Sequence, residues 1–234
     1  MNDRKKELLV KIIEEFIDKS CPVGSKFLAD KSGLNLSSAT IRNEMAELEK
    51  KGYIFQPHTS AGRAPTEKGY QFYIDEYLDK KNITQSDKKA IDAIIKSNLK
   101  LREDSRSYLK NIAKEIAELS NEAILLGFSD SDFYYTGLSN IFSKPEFDQQ
   151  HKVVGLSAII DHLDQEMTKI YKKVSETDIL IGSRNPFGQD CSLVITNLNT
   201  DSGEILGILG PIRMNYQKNY NFLNYLKQKL TEKN

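Results

Sequence analysis

The chain has 234 residues, 39% of them hydrophobic and 28% charged, which is typical of a globular protein with one small and one medium domain. Its formal net charge is zero and its pI is about 6.8, which excludes a binding mode that depends on a strongly basic surface. No apolar segment is long enough to span a bilayer and the N-terminus has no signal-peptide pattern, so we expect a cytoplasmic protein without membrane contact. The two cysteines, Cys21 and Cys191, lie in unrelated contexts and favour reduced thiols.

Three helices are predicted at the beginning of the chain. Apolar residues at helical spacing indicate a first helix over residues 4–19. A short helix over residues 25–31 follows, with Ser25 as its expected N-cap. The third helix is expected to begin near Ser37, whose hydroxyl can cap it, and to stop at Gly52.

The third helix has two different faces. Ile41, Met45 and Leu48 recur at positions i, i+4 and i+7 and therefore form one apolar face. The outward positions and their flanks are Ala39, Thr40, Arg42, Asn43, Ala46, Glu47 and Lys50. Because asparagine can bond an adenine through two hydrogen bonds and small apolar groups can meet a thymine methyl, this face suits a major groove.

A short hairpin is predicted after the third helix. Strand-forming residues 53–56 are followed by a polar, glycine-containing tip and by residues 64–66. We expect Arg63 at the tip, with His58 nearby, where it would contact the DNA backbone or a narrow minor groove. Three helices followed by a hairpin is the order of a winged helix-turn-helix. An ordinary packed helix and an ordinary turn remain the alternative for each element taken alone.

The candidate DNA-contacting residues lie on the second and third helices, on the hairpin and just after it. They are Lys26, Ser37, Ser38, Thr40, Arg42, Asn43, His58, Thr59, Ser60, Gly62, Arg63 and Lys68. Lys26 lies at the start of the second helix, where it can reach a phosphate or remain solvated. Basic residues barely outnumber acids in this region, so we expect few phosphate contacts per subunit.

Residues 1–80 are predicted to form the DNA-binding domain, which ends after an aromatic helix that Thr66 caps. Acids interleave with these aromatic residues, which favours core and dimer contacts over base stacking. Residues 81–122 are predicted to form two helices, the first capped by Ser86, that serve as a linker or a dimer seam.

Residues 123–234 are predicted to form an α+β domain with an antiparallel sheet flanked by helices. The expected strands are 123–128, 133–136, 179–181, 191–197 and 204–209, the expected helices are 157–174 and 219–230, and 137–147 is an expected loop. The sequence from Asn199 to Gly203 is a strong turn signal between the last two strands.

No catalytic arrangement is evident, and no cofactor or metal is expected. The three histidines, His58, His151 and His162, are not accompanied by a nucleophile and an orienting group in a recognisable pattern. For Arg213, which follows the last strand, an ion pair with an acid is favoured over anion binding. An enzyme is therefore the least favoured class of function.

Three segments resemble the HrcA family of heat-inducible transcription repressors. They are PVGSKFLAD (22–30), SSATIRNEMAELEKKGYIFQPHTSAGRAPTEKGY (37–70) and GPIRMNY (210–216). DFYYTGLSNIFSKPEF (132–147) and QDCSLVITNL (189–198) are similar to two further family segments. The first two of these motifs are long, ungapped and specific to the family.

The resemblance implies a winged helix-turn-helix followed by a GAF-like domain, in a homodimer that binds an inverted-repeat operator before chaperone operons. It also implies a chaperonin as a partner that supports the active repressor, and release under heat stress. It places Ser37 to Asn43 on the recognition helix and His58 to Arg63 on the wing. Family members are usually longer, so a shortened member is expected, in which Phe128 passes almost directly to Phe133. The alternative is a winged-helix regulator whose C-terminal domain senses a small molecule.

Overall fold

Residues 1–80, 83–147, 161–200 and 202–232 are described by a computed structural model of the chain. These residues divide into two units, Met1–Leu78 and Asp79–Asn234. Helices and antiparallel strands occur in both units, so the fold is α+β, as the sequence predicted. Among the described residues, no helix is long and apolar enough to cross a membrane.

The first unit consists of four helices and a small hairpin. The helices are α1 (Asp3–Lys19), α2 (Ser25–Lys31), α3 (Ser38–Lys50) and α4 (Glu67–Tyr77). Strand β1 (Ile54–Phe55) pairs antiparallel with β2 (Ala64–Pro65) between α3 and α4. A single bridge between Val23 and Arg63 ties the segment before α2 to the hairpin.

Helix caps explain where two of these helices begin. The Ser37 hydroxyl accepts a hydrogen bond from the Thr40 amide at 3.1 Å, and the Thr66 hydroxyl accepts one from the Gly69 amide at 3.2 Å. The predicted cap at Ser25 is wrong, because Ser25 is already the first helical residue and Gly24, which has no side chain to bond, occupies the N-cap.

An apolar core holds the first unit together. The stripe of α1 that contains Leu8 and Ile12 is fully buried, as are Leu28 of α2 and Ile41 and Leu48 of α3. Burial of each such side chain contributes about 1.5–3 kcal/mol. The periodicity of α1 and α3 therefore determines which faces of the helices remain outside.

The second unit is built on a five-stranded antiparallel sheet with the order β4-β3-β7-β6-β5. Its strands are β3 (Ala123–Gly127), β4 (Phe133–Thr136), β5 (Asp178–Ile181), β6 (Cys191–Asn197) and β7 (Ile205–Pro211). Its helices are α5 (Gln85–Asn98), α6 (Ser105–Ser120), α7 (Leu138–Phe142), α8 (Leu163–Tyr171) and α9 (Tyr216–Thr231). The predicted antiparallel sheet with flanking helices is confirmed.

Both faces of this sheet are covered. On one face, Leu193 and Ile195 of β6 share a core cluster with Ile141 of α7 and Met167 of α8. On the other face, α9 lies against β6, where the hydroxyls of Ser192 and Tyr216 are 2.8 Å apart. Because both faces are buried, β3, β6 and β7 have nearly continuous apolar sequences instead of alternating ones.

Several predicted boundaries in the second unit change for identifiable reasons. The cap of α5 is Thr84 instead of Ser86, and α9 begins earlier because Asn215 caps it. The predicted loop over 137–147 contains α7 and a 3-10 turn, because burial of Ile141 and Phe147 stabilises helical segments too short to show a period.

Helices α5 and α6, expected to act as a linker or dimer seam, are packed within the second unit. Helix α5 contacts α6 and α9, and α6 contacts β3. The predicted helix over 157–174 is seen as α8, while residues 157–160 and His151 lie outside the described residues.

A buried charge cluster lies where β3 begins. Arg213 pairs with Glu146, which confirms the predicted ion pair. Glu122 is only 8% exposed, and Lys144 Nζ lies 3.5 Å from its Oε1. Burial raises the pKa of Glu122 from 4.5 to about 7, while the ammonium of Lys144 and the Arg213 guanidinium oppose the shift and Glu146 adds to it.

This carboxyl predicts a pH-dependent stability. The pKa of Glu122 is higher in the folded chain than in the unfolded chain. Its protonated form therefore stabilises the fold fully below about pH 4.5, and this stabilisation is lost as the pH rises through about 7. We expect the free energy of unfolding to fall by about 3 kcal/mol over this range. Urea unfolding at pH 5 and pH 8 measures the difference.

Glu122→Gln should remove most of that pH dependence, whereas Glu118→Gln, at an exposed position of α6, should leave it unchanged. Equal pH dependence in the two variants would contradict the assignment to Glu122.

Candidate nucleic-acid interface

Helix α3 separates its faces as its sequence predicts. Ile41, Met45 and Leu48 are at most 3% exposed. The exposed residues of the helix are Ala39, Arg42, Asn43, Ala46, Glu47 and Lys50, and Thr40 is half-buried. An amide, a guanidinium and small apolar groups therefore share one accessible surface.

The start of α3 is held by its own hydroxyl groups. Besides capping the Thr40 amide, the Ser37 Oγ lies 2.9 Å from the Thr40 Oγ1. Both hydroxyls therefore take part in the cap, which gives them a structural role whether or not they contact a ligand. Ser38 is half-buried at the first position of the helix.

An open depression of about 520 Å³ lies between the N-terminal end of α2, helix α3 and the hairpin. Six of the candidate residues line it: Lys26, Arg42, Thr59, Ser60, Gly62 and Arg63. These residues come from three separate segments of the sequence. The fold therefore brings together half of the residues that the sequence analysis selected.

Lys26 and Arg42 provide the uncompensated positive charge of this depression. Both side chains are exposed. Within residues 1–80, all of which the structure describes, neither forms an ion pair with an acid. Two cations at the rim of a depression can each meet a phosphate without first breaking another contact.

Arg63 is not at the tip of the hairpin, contrary to the prediction. Its backbone pairs with Val23, whose carbonyl accepts the Arg63 amide at 2.9 Å, so it lies at the base beside β2. Its side chain is 17% exposed, and its Nε donates to Glu49 Oε2 at 3.0 Å. Strand pairing and the opposite charge of Glu49 thus direct this arginine towards α3.

The tip consists of residues 57–62 and is closed by the Gln56 side chain. Its Nε2 donates to the carbonyls of Thr59 and Ala61, each at 2.9 Å. The Ser60 Oγ lies 3.3 Å from His58 Nδ1. Pro57, His58, Thr59 and Ser60 are exposed at the end of the hairpin.

Lys68 lies outside the depression. Its Nζ donates to the Lys51 carbonyl at 2.8 Å and lies 4.5 Å from the centroid of the Tyr53 ring. These contacts tie the start of α4 to the end of α3. The structure therefore does not bring Lys68 together with the other candidate residues.

Glu49 and Gln56 were not among the sequence candidates. A glutamate near the end of a helix is ordinarily solvated, but both carboxylate oxygens of Glu49 bind the hairpin. The opposite charges of Glu49 and Arg63 are a weak signal, because a pair 14 residues apart meets only after the hairpin has formed.

The exposed face of α3 carries two basic residues, Arg42 and Lys50, and one acid, Glu47. Lys5 Nζ lies 2.6 Å from Glu47, and this hydrogen bond lowers the pKa of the Glu47 carboxyl. Glu47 is therefore ionised at neutral pH on the same surface as Arg42. A face with so small a net charge favours recognition by hydrogen bonding over recognition by charge alone.

The model of the HrcA protein C-terminal domain matches residues 68–219, which is more than half of the chain. This chain belongs to the HrcA family. A heat-inducible transcription repressor HrcA of Thermoanaerobacter sp. (strain X514) is 28% identical over 330 aligned positions, which cover 99% of this chain and 96% of that protein. The alignment is longer than the 234 residues of this chain, so the relative contains segments that this shortened HrcA-family member lacks.

A second relative is more similar over a shorter region. The HrcA of Chlorobium phaeobacteroides is 42% identical over 123 residues, which cover 52% of this chain and 34% of that protein. A crystal structure of a hypothetical protein superposes with a TM-score of 0.73 at 17% identity, covering 99% of this HrcA-family chain and 97% of that one. That likeness shows a shared fold.

The hairpin packs closely against the backbone of Val23 at Gly62, which leaves no room for a side chain there. A Cβ at this position would lie 2.4 Å from both the carbonyl carbon and the oxygen of Val23. Gly62→Ala must therefore displace the hairpin or the segment before α2, and we expect a loss of about 1–3 kcal/mol in unfolding free energy. Urea unfolding of the full chain measures this loss.

Gly24→Ala is the matched control, because a Cβ there has no atom within 4 Å. We expect a loss of less than about 1 kcal/mol, because alanine is a poorer N-cap for α2 than glycine but meets no steric clash. Equal stabilities for the two variants would show that the close approach at Val23 is not maintained.

Proposed function

We propose that this chain is a heat-inducible transcription repressor whose residues 1–80 form a winged helix-turn-helix that binds double-stranded DNA. The observation that carries the proposal is the exposed surface of α3, with Asn43 and Arg42, beside the depression that Lys26 also lines. Helix α3 would enter the major groove, and the hairpin would act as the wing. Membership of a family whose members are named as transcription repressors supports this function.

The second unit supports a regulatory role in this proposal. Its antiparallel sheet, covered on both faces, is compatible with a reduced GAF-like domain. We propose a cytoplasmic homodimer that binds an inverted-repeat operator of chaperone genes, with one half-site for each subunit. A chaperonin is proposed as the partner that supports the active repressor. The proposal assigns no catalytic role to the chain.

The dimer contact is proposed to include the C-terminal end of α4. Tyr77 is 39% exposed there, and its ring centroid lies 5.8 Å from that of Phe72. Aromatic residues at such a surface provide a large contact area. Light scattering at micromolar concentration should give a dimer mass, and a monomer that does not bind a palindrome would count against this arrangement.

DNA binding is tested with the full chain and labelled duplexes. An inverted-repeat operator should bind more tightly than a scrambled duplex of the same composition, by fluorescence anisotropy at a fixed salt concentration. A reporter gene behind the operator should be repressed at low temperature and released on heating. Equal affinity for both duplexes would remove the claim of sequence-specific repression.

Asn43 is expected to supply base recognition. Asn43→Ala should reduce discrimination at one base pair of each half-site by about 1–3 kcal/mol, because the amide would bond an adenine through two hydrogen bonds. Competition with duplexes that carry single substitutions measures this discrimination. A uniform loss of affinity over all sequences would contradict a base contact.

Lys26 and Arg42 are expected to bind phosphates. Lys26→Gln and Arg42→Gln should each weaken binding to all sequences and reduce the slope of log K against log salt by about 1. Lys31→Gln provides the control, since it removes an exposed lysine of the same helix that does not line the depression. If the control changes the slope as much, the effect is one of general charge and not of this site.

A further inference from the structure

Glu49 connects α3 to both arms of the hairpin loop. It lies in the last turn of α3 and is half-buried. Its Oε1 accepts the backbone amide of Gln56 at 3.1 Å, and its Oε2 accepts Arg63 Nε at 3.0 Å and lies 2.9 Å from Arg63 Nη2. Gln56 directly follows β1 and Arg63 directly precedes β2, so one carboxylate bonds the two ends of the loop.

The hairpin needs such a contact, because its ladder is minimal. Only two residue pairs, Ile54 with Pro65 and Phe55 with Ala64, join β1 to β2. An isolated two-stranded hairpin is marginally stable at best in water. Gln56 closes the tip upon itself, and the bridge from Val23 to Arg63 ties the base to the segment before α2. Glu49 binds the loop to the helix whose surface is proposed to read DNA.

We propose that Glu49 is a positioning residue that fixes the hairpin loop relative to the exposed face of α3, and so sets operator affinity without touching DNA. The inference rests on the proposed DNA-binding function. In it, Arg63 acts through Glu49 instead of reaching a phosphate, which agrees with its low exposure.

The sign of the effect distinguishes this role from simple electrostatics. Removing a carboxylate near a polyanion strengthens binding, and releasing Arg63 from its partner would add a free cation. A positioning role predicts weaker binding, because the loop and the helix would no longer hold one fixed separation. Charge and position therefore give opposite predictions for the same substitution.

The first test compares Glu49→Gln with Glu14→Gln in the full chain. Both variants remove one negative charge, and Glu14 lies on α1, where it pairs with Lys11 at 2.9 Å. We expect Glu49→Gln to weaken operator binding about tenfold, with an unchanged slope of log K against log salt. Glu14→Gln should change the operator affinity less than about twofold. Tighter or unchanged binding by Glu49→Gln overturns the proposal.

Arg63→Ala completes a double-mutant cycle. If the two residues act as one unit, the double variant should bind about as weakly as each single variant. A salt slope that falls by about 1 in Arg63→Ala alone would show a direct phosphate contact and overturn the inference. Arg63→Lys should restore part of the affinity, since a lysine can still meet the Glu49 carboxylate.

Hydrogen exchange in the free protein gives a readout that does not depend on DNA. Glu49→Ala should accelerate exchange of the Gln56 amide, with little change at the core amides of α1. Unchanged protection of that amide overturns the positioning role. A wild-type chain that shows this protection but binds no operator would instead refute the proposed function, so the two failures are separable.

Discussion

The burial of the apolar stripe of α3 is the constraint on which the first unit depends. Ile41 and Leu48 are fully buried together with the stripe of α1 and with Leu28 of α2. A helix rotated about its axis would expose these side chains at a cost of about 1.5–3 kcal/mol each. The orientation of α3 is therefore fixed from inside, and the outward position of Asn43 and Arg42 follows from it.

Acidic residues of α3 form ion pairs with three cations from other parts of the first unit. Arg4 pairs with the buried Glu44, Lys5 with Glu47 and Arg63 with Glu49. These ion pairs join α1 and the hairpin to α3. They therefore help to fix the position of α3, and each pair adds no net charge to the first unit. The zero net charge of the chain is thus compatible with nucleic-acid binding, because Lys26 and Arg42 stay unpaired at the depression within the described first unit.

The second unit depends on a different constraint, a sheet covered on both faces. The central strands β3, β6 and β7 must be largely apolar on both sides, and polar groups that remain inside need partners. Ser192 meets this need with the hydroxyl of Tyr216, and Arg213 meets it with Glu146. Glu122 is less well accommodated. Burial raises the pKa of its carboxyl to about 7, and the nearby ammonium of Lys144 opposes this shift only in part. The protonation state of Glu122 therefore changes near neutral pH.

The sequence alone determined the features that depend on local periodicity and local hydrogen bonds. The two faces of α3, the caps at Ser37 and Thr66 and strand β6 could all be predicted, because each is encoded within a few neighbouring residues. The long motifs of the first unit also made membership of the HrcA family predictable from the sequence. The contacts that only the folded chain creates could not be predicted. Arg63 meets Glu49 only once the hairpin has formed, and α7 is helical only because the core buries Ile141. Tertiary structure decided these features because the interacting groups are distant in the sequence and no period marks them.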